Sequence, residues 1–269
     1  MKLTAVEGNY QHLDGGSMFG NVPKELWKRW VEADEKNRIR IACRSLLVQT
    51  DNGRNILFDV GIGAFLEPKL KERYGVFEEE HTLLKNLASI GLAEEDIDAV
   101  MLSHLHFDHA GGMLPPHGET PRLLFPNAAI YVGKEHWERA QKPHIRERAS
   151  FIPELHDLLK KSDRFHLIEG ETHPDFEDFV SFTYTYGHTI GLIISKIRAP
   201  DRTVVFVSDL IPGRPWLHPP VAMGYDRYPE LTVNEKIAFL KEAEANNYQL
   251  FFTHDPEVGF ATRKLPTGS

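Results

Sequence analysis

Ser103-His104-Leu105-His106-Phe107-Asp108-His109-Ala110-Gly111-Gly112 places three histidines and an aspartate within six positions, directly after the short apolar run 99–102. Where a buried strand hands over to a loop, side chains reach into a crevice. His104 and His106 are two residues apart, so on extended backbone they project to the same side. Asp108 and His109 follow in a turn and can aim elsewhere. Such a loop can offer imidazoles to one cation, and a carboxylate with an imidazole to a second a few ångströms away. Zinc, iron, manganese and cobalt all accept these nitrogen and oxygen ligands. Gly111 and Gly112 let the backbone turn sharply behind the cluster. A polar surface loop explains a single histidine, not this density.

Outward from this stretch the chain alternates strand-like and helical runs. Residues 39–50 and 55–60 read as strands joined by Asp51-Asn52-Gly53, a strong hairpin signal. Leu83, Leu84, Leu87 and Ile90 form a helical stripe over 80–90 that Gly91 closes. Strands are predicted over 128–132, 164–168, 179–186, 192–197, 203–207 and 249–252, and helices over 134–141, 153–161 and 234–246. Proline and glycine concentrate at 213–220, which reads as a rigid surface loop, and 261–269 as a polar, mobile tail. Two apolar strands end in aspartate, at Asp59 and at Asp209, where a carboxylate can enter a shared crevice.

The 269 residues are 41% hydrophobic and 26% charged, which excludes disorder and low complexity. No Ser/Gly linker divides the chain, so residues 1–269 read as one domain, with 1–38 an N-terminal extension toward the substrate pocket or a dimer contact. Thirty-one Lys and Arg against 39 Asp and Glu give a net charge of −8, which argues against a sequence-independent grip on nucleic acid. No run approaches the roughly 18 apolar residues of a membrane span. The opening residues lack the apolar core of a signal peptide. Cys43 is the only cysteine. A single thiol forms no internal disulfide, which fits a cytoplasmic protein, and it leaves any metal site to histidine and carboxylate. Of the other histidines, His12, His81, His117, His136, His144, His156, His166 and His173 read as surface or loop residues, whereas His218 could face the crevice.

The segment 104–109 matches the pattern His-x-His-x-Asp-His, and later residues continue it in order. Gly187-His188 follows a strand, Asp209 follows the next apolar strand, and His254 follows the strand ending at Phe252. On these residues the chain resembles the metallo-β-lactamase superfamily over roughly residues 39–255. The resemblance implies an α/β (α+β) fold, the αββα sandwich: two mixed sheets face to face, helices outside, metals at the edge between the sheets. It implies one divalent ion held by His104, His106 and His188, and a second held by Asp108, His109 and His254. Asp209 would bridge both, and Asp59 would fix a ligand imidazole. Zinc leads among the metals, with iron, cobalt and manganese open.

Such a pair of ions ionises a water near neutral pH for attack on an electrophilic centre. Asp108 is the candidate to take the nucleophile's proton and pass it to the leaving oxygen. The segment 13–27 resembles the opening of lactonase-like members, related to N-acyl homoserine lactonases and the YtnP-like group. There Met18, Phe19 and Trp27 either line the acyl side of a substrate pocket or pack the core of the N-terminal segment. Phe107, His218 and Tyr225 are further pocket candidates. The family's lactonases carry a tyrosine three residues after the bridging aspartate; here that residue is Pro212, which leaves the substrate oxygen to a metal alone or to another donor, Tyr225, Tyr228 or His218. The resemblance therefore implies opening of lactones or related esters. Phosphotriester hydrolysis of the methyl-parathion-hydrolase kind and a glyoxalase-II-like thioesterase are the alternatives, and a flavodiiron-like redox protein is the reading from another class. β-Lactam and nuclease activities are disfavoured. The expected partner is a small-molecule substrate, with no nucleic acid, no membrane, and a homodimer left open.

Overall fold

The computed structural model describes residues 1–176 and 179–262. Among them the strands are β1 (Lys2–Val6), β2 (Gln11–Asp14), β3 (Arg38–Ile41), β4 (Ser45–Gln49), β5 (Asn55–Phe58), β6 (Ala99–Met101), β7 (Ala129–Gly133), β8 (Phe165–Ile168), β9 (Val180–Thr185), β10 (Leu192–Arg198), β11 (Thr203–Phe206), β12 (Gln249–Phe251) and β13 (Phe260–Thr262). The helices are α1 (Gly15–Phe19), α2 (Lys24–Trp27), α3 (Pro68–Tyr74), α4 (Thr82–Ser89), α5 (Phe107–Ala110), α6 (Lys134–Gln141), α7 (Pro153–Lys161) and α8 (Pro229–Ala245).

Six strands form one sheet in the order β1-β4-β5-β6-β7-β8, and five form another in the order β13-β12-β11-β10-β9. From β5 to β8 the pairing is parallel, and β11 runs parallel to β12; the remaining pairs in both sheets are antiparallel. Strand alternation sets the layers. Leu46, Val48, Ile56, Phe58 and Met101 meet Phe182, Ile193, Val204, Phe206 and Phe251 between the sheets. Their sequence neighbours Leu47, Leu57 and Val100 face the other way, onto Leu83 and Leu87 of α4 and Leu155 and Leu159 of α7. Leu192, Ile194, Val205 and Leu250 turn outward from the second sheet onto Phe239, Leu240 and Ala243 of α8. The molecule is therefore layered helix, sheet, sheet, helix, a mixed α/β architecture. Strand β6 is buried at every residue, as a parallel strand covered on both faces must be.

The structure corrects several sequence expectations. Residues 39–50 are not one strand: β3 pairs with β2 outside the main sheets, because the Ala42 and Arg44 amides leave the ladder and donate to the carbonyls of His254 and Thr253. The 213–220 segment is not merely surface, since Trp216 and Leu217 are buried in the second sheet's outer core. Ala261 and Thr262 lie in β13 on the edge of that sheet, while 263–269 fall outside the described residues. His81, His136 and His156 are buried rather than superficial. Residues 1–38 supply the edge strand β1 and bury Met18, Phe19 and Trp27 in the second sheet's outer core. Among the described residues no helix is long and apolar enough to cross a membrane.

Candidate metal centre

Asp59 follows β5, His104 to His109 follow β6, His188 follows β9, Asp209 follows β11 and His254 follows β12. Because β9 and β11 are both antiparallel to β10, they share a direction with each other and with β12. Side chains after their carboxyl ends thus gather at one edge of each sheet, where the Ile193 amide donates to the Ser103 carbonyl at 3.0 Å and ties the sheets together. Two non-glycine residues there adopt left-handed backbone, Asp59 (φ 53°) and Ser208 (φ 44°). Such conformations cost free energy and persist where surrounding contacts dictate them. Gly112 is required by close approach rather than by a turn: a β-carbon there would collide with the Val60 carbonyl. One at Gly187 would collide with the backbone of Thr232 in α8.

Hydrogen-bond partners assign the imidazole protons. His109 Nδ1 lies 2.8 Å from Asp59 Oδ2; a carboxylate only accepts, so Nδ1 carries the proton and neutral Nε2 a lone pair. By the same logic His254 Nδ1 donates to the Ala42 carbonyl at 2.5 Å, His188 Nδ1 to Asp226 at 2.9 Å, and His106 Nε2 to Glu147 at 3.2 Å. The remaining nitrogens converge in pairs. His109 Nε2 faces His254 Nε2 at 3.0 Å, and His106 Nδ1 faces His188 Nε2 at 3.2 Å. His104 Nε2 is buried with no hydrogen-bond partner. Asp209 reaches both pairs, Oδ1 at 3.2 and 3.1 Å from His109 and His254, Oδ2 at 3.2 Å from His188. Lone pairs set against one another repel unless positive charge lies among them.

The donor sets fit divalent ions. His104 with His106 and His188, His104 with His109 and Asp209, and Asp108 with His109 and His254 each bring their ligand atoms within 4.8 Å of one another. Imidazole nitrogen and carboxylate oxygen without thiolate suit zinc and other first-row divalent metals. In metal-free protein, protons take the cation's place. Burial opposes charge on His109, His188 and His254, yet the Asp209 carboxylate raises all three above the ordinary histidine range, His254 to about 10. Burial pushes His104 and His106 down. Burial would raise Asp209, but the facing imidazoles hold it well below the usual carboxylate range. A divalent ion competes with those protons for the same lone pairs.

Around this cluster opens a cleft whose empty volume, mouth included, is about 690 Å³. Leu13, Met18, Ile41, Phe107 and Met223 make its apolar wall, and Tyr225, Arg146 and Arg227 its polar one. Of the pocket residues expected from sequence, Met18, Phe107 and Tyr225 line the cleft. Phe19 and Trp27 do not: their rings stack at 5.3 Å inside the core, with Phe19 also stacked on Trp216 at 4.8 Å. His218 stacks on Trp30 at 4.9 Å beside a separate cavity.

Sequence reasoning missed the residues that hold the imidazoles. Glu147 grips His106 and is itself held by Arg139 at 2.7 Å and by the Thr189 hydroxyl. Asp226 fixes His188 and accepts from the Met223 amide at 2.9 Å. Buried Gln11 donates to Asp108 Oδ2 at 2.6 Å. His136, fully buried, accepts from the Leu105 amide at 2.8 Å between His104 and His106. Nothing in the local sequence marks any of these residues as a partner of the cluster.

A two-sheet sandwich carrying imidazoles and carboxylates at the carboxyl ends of its strands defines a class of metal-dependent hydrolase. The chain belongs to the metallo-β-lactamase superfamily, whose family model matches residues 39–254. It is similar to an N-acyl homoserine lactonase of Bacillus cereus, 28% identical over 167 residues. That match covers 58% of each chain, so the chain spans little more than half the length of this relative. A probable metal-dependent hydrolase from Staphylococcus aureus superposes with a TM-score of 0.87 at 29% identity, covering 97% of this chain and 91% of that one. A dizinc quorum-quenching lactonase, AidC, solved in complex with a product N-hexanoyl-L-homoserine, shares the fold (TM-score 0.74, 24% identity, covering 98% of this chain and 91% of that one).

Proposed function

We propose that the chain hydrolyses lactones or related carboxylic esters with two divalent ions, zinc foremost. His104, His106 and His188 would hold one, Asp108, His109 and His254 the other, and Asp209 both. Bound there, the ions supply Lewis acidity and lower the pKa of water. The chain's own residues do the rest. Asp59, Asp226, Glu147 and the Ala42 carbonyl hold four imidazoles in the tautomer that presents a lone pair inward. Gln11 fixes Asp108 through Oδ2, leaving Oδ1 to accept a proton from the nucleophile and return it to the leaving oxygen. The Tyr225 hydroxyl takes the place of the tyrosine that Pro212 removes, donating to the substrate carbonyl as charge develops on it. Leu13, Met18, Phe107 and Met223 receive the apolar arm of the ester and exclude water beside it.

The observation that carries this reading is the facing of four imidazole nitrogens, with Asp209 between them, at the floor of an open and partly apolar cleft. Similarity to lactonases and the Staphylococcus aureus hydrolase supports ester chemistry over the other reactions of the superfamily. The test is elemental analysis together with a substrate panel: lactones of short and long acyl chain, a phosphotriester, a thioester and a β-lactam. About two metals per chain and lactone turnover above all other arms are expected. Lactone turnover no faster than the thioester overturns the substrate class, and a metal content near zero in protein never exposed to chelator overturns the site.

A further inference from the structure

Two arginines line the cleft without a carboxylate in ion-pair contact. Arg146 and Arg227 both line it, and among the described residues neither has an acidic oxygen within ion-pair distance. Each sits next in sequence to an acid that is already committed. In Arg146-Glu147 the glutamate is taken by His106, Arg139 and Thr189. In Asp226-Arg227 the aspartate is taken by His188 and the Met223 amide. The pairs are thus built alike: the acid orients an imidazole, and the adjacent arginine lines the cleft, Arg227 Nη2 donating, among the described residues, only to the Asp226 carbonyl at 3.5 Å. The Arg227 amide donates to the His188 carbonyl at 3.1 Å, which fixes this residue's backbone relative to the same imidazole.

Arg146 is exposed and Arg227 half-buried, so the second is only partly served by water. Both acids that could have met this demand from the same loops face the imidazoles instead. Guanidinium presents a planar fork of donors matched to the two oxygens of a carboxylate.

We propose that the substrate carries a carboxylate besides its scissile ester, and that Arg146 and Arg227 form the subsite that receives it. The inference rests on the ester-hydrolase reading and narrows it to acidic lactones, or esters acidic on the acyl side, whose hydrolysis product is a dicarboxylate. One end of that product lies at the imidazole cluster and the other at the arginines, on the side of the cleft served by His106 and His188.

The first test needs no turnover. Metal-loaded protein is titrated calorimetrically with glutarate and with butyrate, which share a chain of similar length and differ in the second carboxylate. Glutarate is expected to bind at least tenfold more tightly, and the preference is expected to shrink in high salt. The double variant Arg146→Met/Arg227→Met should bring the ratio close to one, while Arg227→Lys, which keeps the charge and loses the fork, should retain part of it. The second test compares N-succinyl- and N-butanoyl-homoserine lactone, with a tenfold or greater advantage for the succinyl compound expected in KM. Equal affinities for glutarate and butyrate in the wild type overturn the subsite, as does a ratio that survives in the double variant. If that variant does not fold, the wild-type ratio and Arg227→Lys decide. Turnover of the neutral lactone with no dicarboxylate preference removes the subsite and leaves the lactonase reading standing. A dicarboxylate preference with no lactone opened does the reverse.

Discussion

Asp59→Asn is nearly isosteric and tests how the centre is held. Asp59 is fully buried and accepts three hydrogen bonds: from the Ser103 amide and hydroxyl, each at 2.7 Å, and from His109 Nδ1 at 2.8 Å. Its left-handed backbone suits asparagine as well as aspartate, so the change adds no strain. An amide has one accepting oxygen instead of two. With that oxygen on the Ser103 amide, the new NH₂ faces His109 Nδ1, donor against donor, and the imidazole escapes only by moving its proton to Nε2. The lone pair that faced His254 across 3.0 Å is then gone. With the amide flipped, the clash falls on the Ser103 N–H instead. Either arrangement costs about 1–3 kcal/mol, and the first removes a ligand. Partners of this kind typically change metal affinity by about 10–100-fold, or roughly 1.4–2.8 kcal/mol. The assay is metal content after equilibration against graded free zinc, with circular dichroism to show an intact fold. One of the two ions should be lost at zinc concentrations where the wild type keeps both. Unchanged occupancy of both ions in a folded Asp59→Asn protein would refute the tautomer argument.

Metal-free protein should show an alkaline weakness. Burial opposes the His254 charge but Asp209 overrides it, raising the pKa from 6.5 to about 10. That stabilisation is complete below pH 6.5 and is lost as pH rises through about 10. Thermal unfolding of chelator-treated protein should therefore weaken across that window, whereas the zinc form, whose imidazoles are neutral ligands, should not; identical profiles for the two forms contradict the assignment. Glu147→Gln removes one partner of a buried charge pair with Arg139 and weakens the hold on His106, so a loss of about 3 kcal/mol is expected in denaturant unfolding. A loss below about 0.5 kcal/mol would deny the pair its role. Phe19→Ala and Met18→Ala separate core from pocket. Phe19, stacked between Trp27 and Trp216, should cost about 3–5 kcal/mol of stability, while Met18→Ala should also raise KM for long-chain esters because Met18 lines the cleft. Tyr225→Phe should lower kcat at least tenfold while metal content stays at the wild-type level, and an unaltered kcat would remove Tyr225 from the chemistry.

Much of the architecture was legible in linear order. A short apolar strand followed by His104, His106, Asp108 and His109 is a local pattern, because one loop carries all four side chains. Asp59 and Asp209 were legible for a related reason: each ends an apolar strand, and a strand's end is a place in space as well as in sequence. Strand periodicity likewise announced most of both sheets. It misjudged 39–50, where both halves read as strand and the break is made by the backbone of Thr253 and His254, some two hundred positions away. The histidines buried away from the cluster, His81, His136 and His156, were misread for a similar cause. A histidine is buried cheaply only when backbone or side-chain partners wait for it, and those partners, such as the Leu105 amide and the Ile190 carbonyl at His136, belong to other loops.

What the amino-acid order determined by itself is the inventory: which residues can bind a cation and on which kind of element each stands. Tertiary structure alone decided how those residues are used. The tautomers of His106, His188 and His254 follow from Glu147, Asp226 and the Ala42 carbonyl. That Met18, buried in the same core as Phe19, also lines the cleft while Phe19 does not follows from packing around a five-residue helix. The freedom of Arg146 and Arg227 follows from where their neighbouring acids went. Hydrogen-bond partnership and burial are properties of pairs and surroundings, and a chain written in order records only its members.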